Sequence, residues 1–191
     1  MGAGIIIQAR LTSSRFPNKV LCPLLGKPVI QWVIEAVKKT NIPFIVAIPE
    51  NKTDQGIRSW LELYDKNIKC VLGHKEDLIL RYKVAVAEGD FDPIIRITGD
   101  NPFVAPEDIK IALELFEKRG YYTFVNHVQV FSREELTYQD YNDPMIDSRQ
   151  HAGCRGMAHL VDYPEDIKRY TKEWVEGSPT MNGKKRLWGI E

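Results

Sequence analysis

The sequence predicts an α/β domain in which a mainly parallel central sheet is covered by helices on both faces. Three observations predict it. Short apolar runs alternate with apolar residues at three- and four-residue spacing for about 130 residues, the pattern of successive strand–helix units. The first run, Ile5-Ile6-Ile7, is β-branched throughout and does not alternate with polar residues, as in a strand buried on both faces. The first and fourth runs both open into polar, charge-bearing segments at their carboxyl ends, where open α/β sheets bind ligands.

In chain order, Lys27 to Thr40 reads as a helix, because Ile30, Val33, Ile34 and Val37 share a face and Pro28 suits a first turn. Pro43 precedes a second strand, Phe44 to Ile48, closed by Pro49. A second helix is expected from Asp54 to Tyr64, with Thr53 or Asp54 as N-cap and Ile57, Trp60, Leu61 and Tyr64 inward. Lys69 to Leu72 is a third strand, and Glu76 to Ala87 a third helix with Leu78, Ile79, Tyr82 and Val86 apolar. Pro93 leads into the fourth strand, Ile94 to Thr98. Pro106 opens a helix from Glu107 to Lys118, Tyr121 to Asn126 is a fifth strand, and His127 to Phe131 is a candidate for another. Beyond Ser132 the alternation fails. Residues 134–147 are acidic, a last helix is expected from Pro164 to Val175, and the tail from Gly177 is polar. One domain, 1–191, is therefore expected, with its core over 1–131.

The 26 basic and 26 acidic residues cancel, so nothing points to nucleic acid or an anionic membrane as partner. No apolar run approaches the ~20 residues of a membrane span and no signal-peptide pattern is present. Cys22, Cys70 and Cys154 lack metal-type spacing, and reduced thiols in a cytoplasmic protein are the simple reading.

Against this neutral background the amino-terminal charge is one-sided. Residues 1–40 hold Arg10, Arg15, Lys19, Lys27, Lys38 and Lys39 against Glu35 alone. Exposed cations on a loop are usually just solvated, worth roughly 0–1 kcal/mol each. A partly shielded cation beside a phosphate oxygen gains on the order of 4 kcal/mol before desolvation, so a nucleotide triphosphate suits the cluster Arg10, Arg15 and Lys19. The second segment, Ile94 to Val104, delivers Asp100 after Gly99. Asp100 suits Mg2+ or Mn2+, which need only one or two protein carboxylates; Gly-Asp-Asn-Pro is equally rich in turn formers. A GxxxxGK[ST] loop is absent, and Gly2 and Gly4 precede the first strand rather than follow it, which excludes the two common glycine-rich phosphate motifs.

These residues carry a resemblance. QARLTSSRFPNKVLCPLLGKPVIQWVIEAV resembles the opening motif of the sugar cytidylyltransferases, nearest to the spore-coat polysaccharide group, with relatives that activate Kdo and acylneuraminate. IIRITGDNPFV is similar to their second motif, and HVQVFSREEL to a weaker third. Arg149-Gln150-His151 resembles an Arg-Glu-His element with Gln for Glu, and HLVDYPEDIKRY a closing Asp-x-Pro-Glu-Asp helix start. The resemblance implies a nucleotide-diphosphosugar transferase fold, Rossmann-like and of the GT-A type, and Mg2+- (or Mn2+-) dependent transfer of CMP from CTP to a small sugar-type acceptor. It implies that Gln8, Ala9, Arg10, Ser13, Arg15 and Lys19 hold the nucleotide, that Arg81 and Arg96 contact base or sugar, and that Asp100 and Asp162 bind the metal. Arg10, Lys19 and Asp100 would carry catalysis. Read from the residues alone, Asp162 equally suits a carboxylate at a helix start, and Arg96 an ion pair. Residues 132–176 form a shortened version of the family's acceptor region, and a homodimer is left open. His151 and Asp147 are candidate bases. A glycosyltransferase using a ready-made nucleotide sugar, or a non-catalytic nucleotide-binding protein, are the alternatives; release of pyrophosphate separates the first reading from both.

Overall fold

The sheet is built outward from the isoleucine run. The structure, a computed structural model, describes residues 1–138 and 161–176. Its elements are β1 (Gly2–Gln8), a 3-10 turn at Lys19–Leu21, β2 (Pro23–Leu24), β3 (Lys27–Pro28), α1 (Val29–Lys38), β4 (Phe44–Pro49), α2 (Gln55–Tyr64), β5 (Cys70–Gly73), α3 (Leu78–Gly89), β6 (Phe91–Thr98), α4 (Pro106–Arg119), β7 (Thr123–Val125), β8 (Val128–Phe131), α5 (Arg133–Tyr138) and α6 (Pro164–Glu176). The strand order is β5-β4-β1-β6-β8-β7. β1 pairs in parallel with β4 and β6, and β4 with β5. The edge formed by β8 and β7 is antiparallel.

Ile5, Ile6 and Ile7 are fully buried. Ile5 and Ile7 pack in one layer with Ile34 of α1, Ile57 of α2 and Ile109 of α4. Ile6 packs in the other with Tyr82 and Val86 of α3 and Leu136 of α5. Helices therefore cover both faces, and burial of each isoleucine contributes about 1.5–3 kcal/mol. At Gly4 the strand passes directly against the buried Phe91 ring, and a β-carbon there would fall inside that ring. Gly4→Ala is expected to destabilise by about 3 kcal/mol, since a packed core accommodates added volume poorly; chemical denaturation measures it.

The structure corrects several predicted boundaries. α1 starts at Val29, because Lys27 and Pro28 pair with Leu24 and Pro23 in a two-residue ribbon; Pro28 is its extended N-cap, outside the first turn. α3 starts at Leu78, where the Asp77 side chain accepts from Leu80 N–H at 3.0 Å. The fifth and candidate sixth strands are the hairpin β7–β8, whose two turn residues, Asn126 and His127, both have positive φ. α5 covers the first residues of the acidic stretch 134–147, of which 139–147 lie outside the described residues. It begins in a capping box: Ser132 Oγ accepts from Glu135 N–H at 3.1 Å while Glu135 Oε2 accepts from Ser132 N–H at 2.7 Å.

A third apolar cluster joins distant parts of the chain. Leu24, Val29 and Trp32 meet Phe103 after β6, and Val161 and Tyr170 at α6. Phe103 and Tyr170 meet edge to face, 4.9 Å between centroids. This cluster docks α6 beside the end of β6. Cys22 and Cys70 are free thiols; burial pushes the Cys70 thiol up to about 11, so it stays protonated and unreactive at neutral pH. Cys154 and the tail from Gly177 lie outside the described residues. Among the described residues no helix is long and apolar enough to cross a membrane.

Candidate active site

From β1 the chain moves to β4 and β5 on one side, then returns to place β6 on the other. The carboxyl ends of β1 and β6 thus flank the point where connections diverge, the place where open α/β sheets bind ligands. Gln8 and Thr98 are register partners there, and Gly99 N–H donates to Gln8 O at 2.7 Å. A β-carbon at Gly99 would stand 3.0 Å from Ala9 Cβ, so small residues on both strands let the two ends approach.

The segment after β1 is folded on itself. Ser13 and Asn18 N–H groups both donate to Leu11 O at 2.9 Å, and Ser13 Oγ accepts from Phe16 N–H. Asn18 adopts a left-handed conformation that turns the chain into the short 3-10 helix carrying Lys19. The three predicted cations emerge in different states. Arg10 is exposed and makes no side-chain hydrogen bond or ion pair among the described residues. Arg15, half-exposed, donates to Asp162 Oδ1 at 2.9 Å and lies over the Tyr163 ring. Lys19 is only 6% exposed. Its ammonium contacts Asp100 Oδ2 closely and Asp162 Oδ1 at 3.0 Å.

Asp162 reaches this point because α6 is capped by another residue. Asp166 Oδ2 accepts the N–H groups of Asp162 and Tyr163, both at 2.9 Å, so the acid serving the helix start is Asp166, and the Asp162 carboxylate is left to face the cations. Val161 N–H donates to Asp100 O at 2.9 Å, which ties the two acid-bearing segments together. Asp100 and Asp162 thus converge on one ammonium. Two hard oxygen donors in a partly open cleft fit Mg2+ or Mn2+, whose remaining positions water and phosphate oxygens can fill. Among the described residues no group of three or more His, Cys, Asp or Glu is placed to hold a metal.

Arg81 and Arg96 stand elsewhere than in an open pocket. Arg81 is buried, and its Nε and Nη2 donate to the carbonyls of His74 and Lys75 at 2.8–3.2 Å; burial lowers its pKa. It fastens the β5–α3 loop. Arg96 is buried, with Nη1 on Gln129 Oε1 and Nε and Nη2 on Gln8 Oε1, so glutamines, not a carboxylate, are its partners in these bonds. Ser13 Oγ accepts from Phe16 N–H within the loop, and Ala9 is buried. The candidate bases His151 and Asp147, and the Arg149-Gln150-His151 element, lie outside the described residues.

Sequence reasoning missed Asp54 as a site-shaping residue. Of the two expected N-caps of α2, Thr53 and Asp54, it is Asp54 that takes the position, but its side chain makes no cap bond. Fully buried, it accepts instead from Leu11 N–H, 43 residues away, and from Asn51 Nδ2. It therefore anchors the basic loop where it leaves β1. Asp54→Ala would leave the Leu11 amide unsatisfied and is expected to cost about 2–3 kcal/mol, measured by urea denaturation.

The family model described as cytidylyltransferase matches residues 4–153. The chain is 30% identical over 200 aligned positions to 8-amino-3,8-dideoxy-manno-octulosonate cytidylyltransferase of Shewanella loihica, covering 92% of this chain and 77% of that protein. It spans about half the length of other curated cytidylyltransferases and of the Bacillus subtilis spore coat polysaccharide biosynthesis protein SpsF that it matches. Among solved structures, a cytidylyltransferase from Leptospira borgpetersenii superposes with a TM-score of 0.78 at 18% identity, over 98% of this chain and 92% of that one. CMP:2-keto-3-deoxy-manno-octonic acid synthetase in complex with CTP superposes with a TM-score of 0.66 at 15% identity, over 93% and 99%. Those two likenesses establish the fold, and the family match across most of its length establishes the rest: this chain belongs to the cytidylyltransferase family.

Proposed function

We propose that the chain transfers CMP from CTP to a hydroxyl of a sugar or sugar acid and releases pyrophosphate, as an activation step for a surface polysaccharide. The observation that carries this reading is the meeting of the basic loop after β1 with the acids after β6 and before α6, all at the Lys19 ammonium. Release of pyrophosphate is what distinguishes this reaction from glycosyl transfer out of a ready-made nucleotide sugar and from passive nucleotide binding.

The acceptor oxygen attacks the α-phosphorus in line. The new O–P bond forms as the bond from the α-phosphorus to the oxygen bridging it to the β-phosphate breaks, and the hydroxyl proton passes to solvent water as pyrophosphate leaves. Catalysis of such transfers is mainly positioning and charge stabilisation. Arg10, unpaired among the described residues, takes the terminal phosphates. Arg15 exchanges its exposed contact with Asp162 for phosphate oxygens at little cost, since such pairs are worth about 0–1 kcal/mol. Lys19, shielded from water, balances the charge gathering on the leaving group. Asp100 and Asp162 would hold Mg2+ or Mn2+, which when bound supplies a Lewis acid for phosphate oxygens.

The test combines CTP, Mg2+ and a panel of sugar acids and amino sugars and follows pyrophosphate. Acceptor-dependent release is expected with CTP, along with a larger thermal stabilisation by CTP than by UTP, ATP or GTP. Transfer from a preformed nucleotide sugar without pyrophosphate, or stabilisation by no nucleotide, would overturn the reading.

A further inference from the structure

We propose that Tyr163 positions Arg15 for the terminal phosphates of the nucleotide, holding the guanidinium by its face so that its N–H edge stays open to phosphate oxygens. This rests on the cytidylyl-transfer reading above. Arg15 stands on a loop with its side chain 48% exposed. Among the described residues two side chains hold it: Asp162, with Oδ1 at 2.9 Å, and Tyr163, whose ring centroid lies 5.6 Å from the guanidinium carbon. These neighbours differ in what they leave free. A carboxylate takes the N–H edge of a guanidinium, the same edge that a phosphate needs. An aromatic ring attracts the cation through the negative charge of its face and consumes none of those donors. In the reading above Asp162 is given to the divalent ion, so Tyr163 is the partner that Arg15 keeps when the nucleotide arrives.

Tyr163 is a fixed platform. Its N–H donates to Asp166 Oδ2 at 2.9 Å, and its carbonyl accepts from Asp166 N–H at 3.1 Å. Arg169 in turn holds the Asp166 carboxylate at 3.1 Å. Pro164 follows as the first residue of α6, and a residue before proline is confined to extended backbone. The loop is tied to the same place, because Phe16, next to Arg15, packs against the apolar cluster of Phe103, Val161 and Tyr170 that docks α6. The Tyr163 side chain is nevertheless 49% exposed, and its hydroxyl makes no hydrogen bond among the described residues. A side chain so exposed adds little to the core, which leaves the contact with Arg15 as its distinct role.

Calorimetric binding of CTP, inorganic pyrophosphate and CMP, each with Mg2+, tests this role. Tyr163→Leu removes the ring face and keeps an apolar side chain. It should weaken CTP and pyrophosphate by about 3–30-fold, the range that one cation–ring contact spans between exposed and shielded settings. CMP, which lacks the terminal phosphates, should bind as it does to the wild type. The melting temperature should move by no more than about 2 °C, as for other surface substitutions. Tyr163→Phe keeps the face and should restore both affinities. On an Arg15→Ala background Tyr163→Leu should have no further effect, because the two residues act as one unit. Unchanged affinities in Tyr163→Leu overturn the proposal. So does a loss of CMP binding as large as that of CTP, an equal loss in Tyr163→Phe, or an effect of Tyr163→Leu that persists without Arg15. Failure of the wild type to bind CTP or pyrophosphate would instead sink the parent reading.

Discussion

Asp100→Asn is expected to leave the fold intact and lower kcat for pyrophosphate release by about 1,000-fold, the scale seen when one charge-stabilising group is removed from a preorganised site. The substitution preserves shape and removes a single negative charge. The backbone tie from Val161 to Asp100 O does not involve the side chain, and Lys19 keeps Asp162 at 3.0 Å, so the melting temperature should move by only a few degrees. An amide is a poorer ligand for a hard divalent cation than a carboxylate, so the Mg2+ concentration giving half-maximal stabilisation should rise as well. Steady-state kinetics across a Mg2+ titration, with parallel thermal melts, tests both. Turnover within tenfold of wild type, at an unchanged Mg2+ dependence, would remove Asp100 from the reaction.

Lys19→Met should produce the largest combined loss. The ammonium is buried and pairs with two carboxylates at once. Removing one partner of a fully buried ion pair costs about 3–5 kcal/mol. Asp100 and Asp162 retain 20% and 25% side-chain exposure, which screens part of the repulsion. A loss of about 2–3 kcal/mol, or about 5–10 °C in Tm for a chain of this size, is expected in the absence of divalent ions. Mg2+ or Mn2+ should then raise the variant's Tm more than the wild type's, because in the wild type the ammonium already supplies the compensating charge. Activity should fall at least 100-fold even with the metal present, since the leaving pyrophosphate loses its shielded cation. Equal stabilisation of both proteins by divalent ions would argue against a metal site between the two acids.

The strands that build the site were legible because buried parallel strands are written as unbroken apolar runs, and both runs end in residues whose chemistry is unusual for their surroundings. Boundaries failed where a distant or side-chain partner decided them. Lys27 and Pro28 look helical until Leu24 and Pro23 are found beside them. α5 was missed despite a local signal, Ser132-x-x-Glu135, which the acidic composition around it obscured. Asp54 illustrates the opposite limit: its sequence context reads as a helix cap, but a backbone amide 43 residues upstream competes for its carboxylate and wins.

Period and local charge are properties of neighbouring residues, so the layered α/β architecture, the two strand ends that matter and the residue types available there can all be read along the chain. How each charged group is employed depends on the folded arrangement. Arg10 remains open to a ligand, Arg81 is committed to loop carbonyls, and Lys19 is committed to acids as far as 143 residues away. The physical reason is that the energy of a charge depends on distance and shielding through space, and the chain sets both only after α6 has docked against the end of β6.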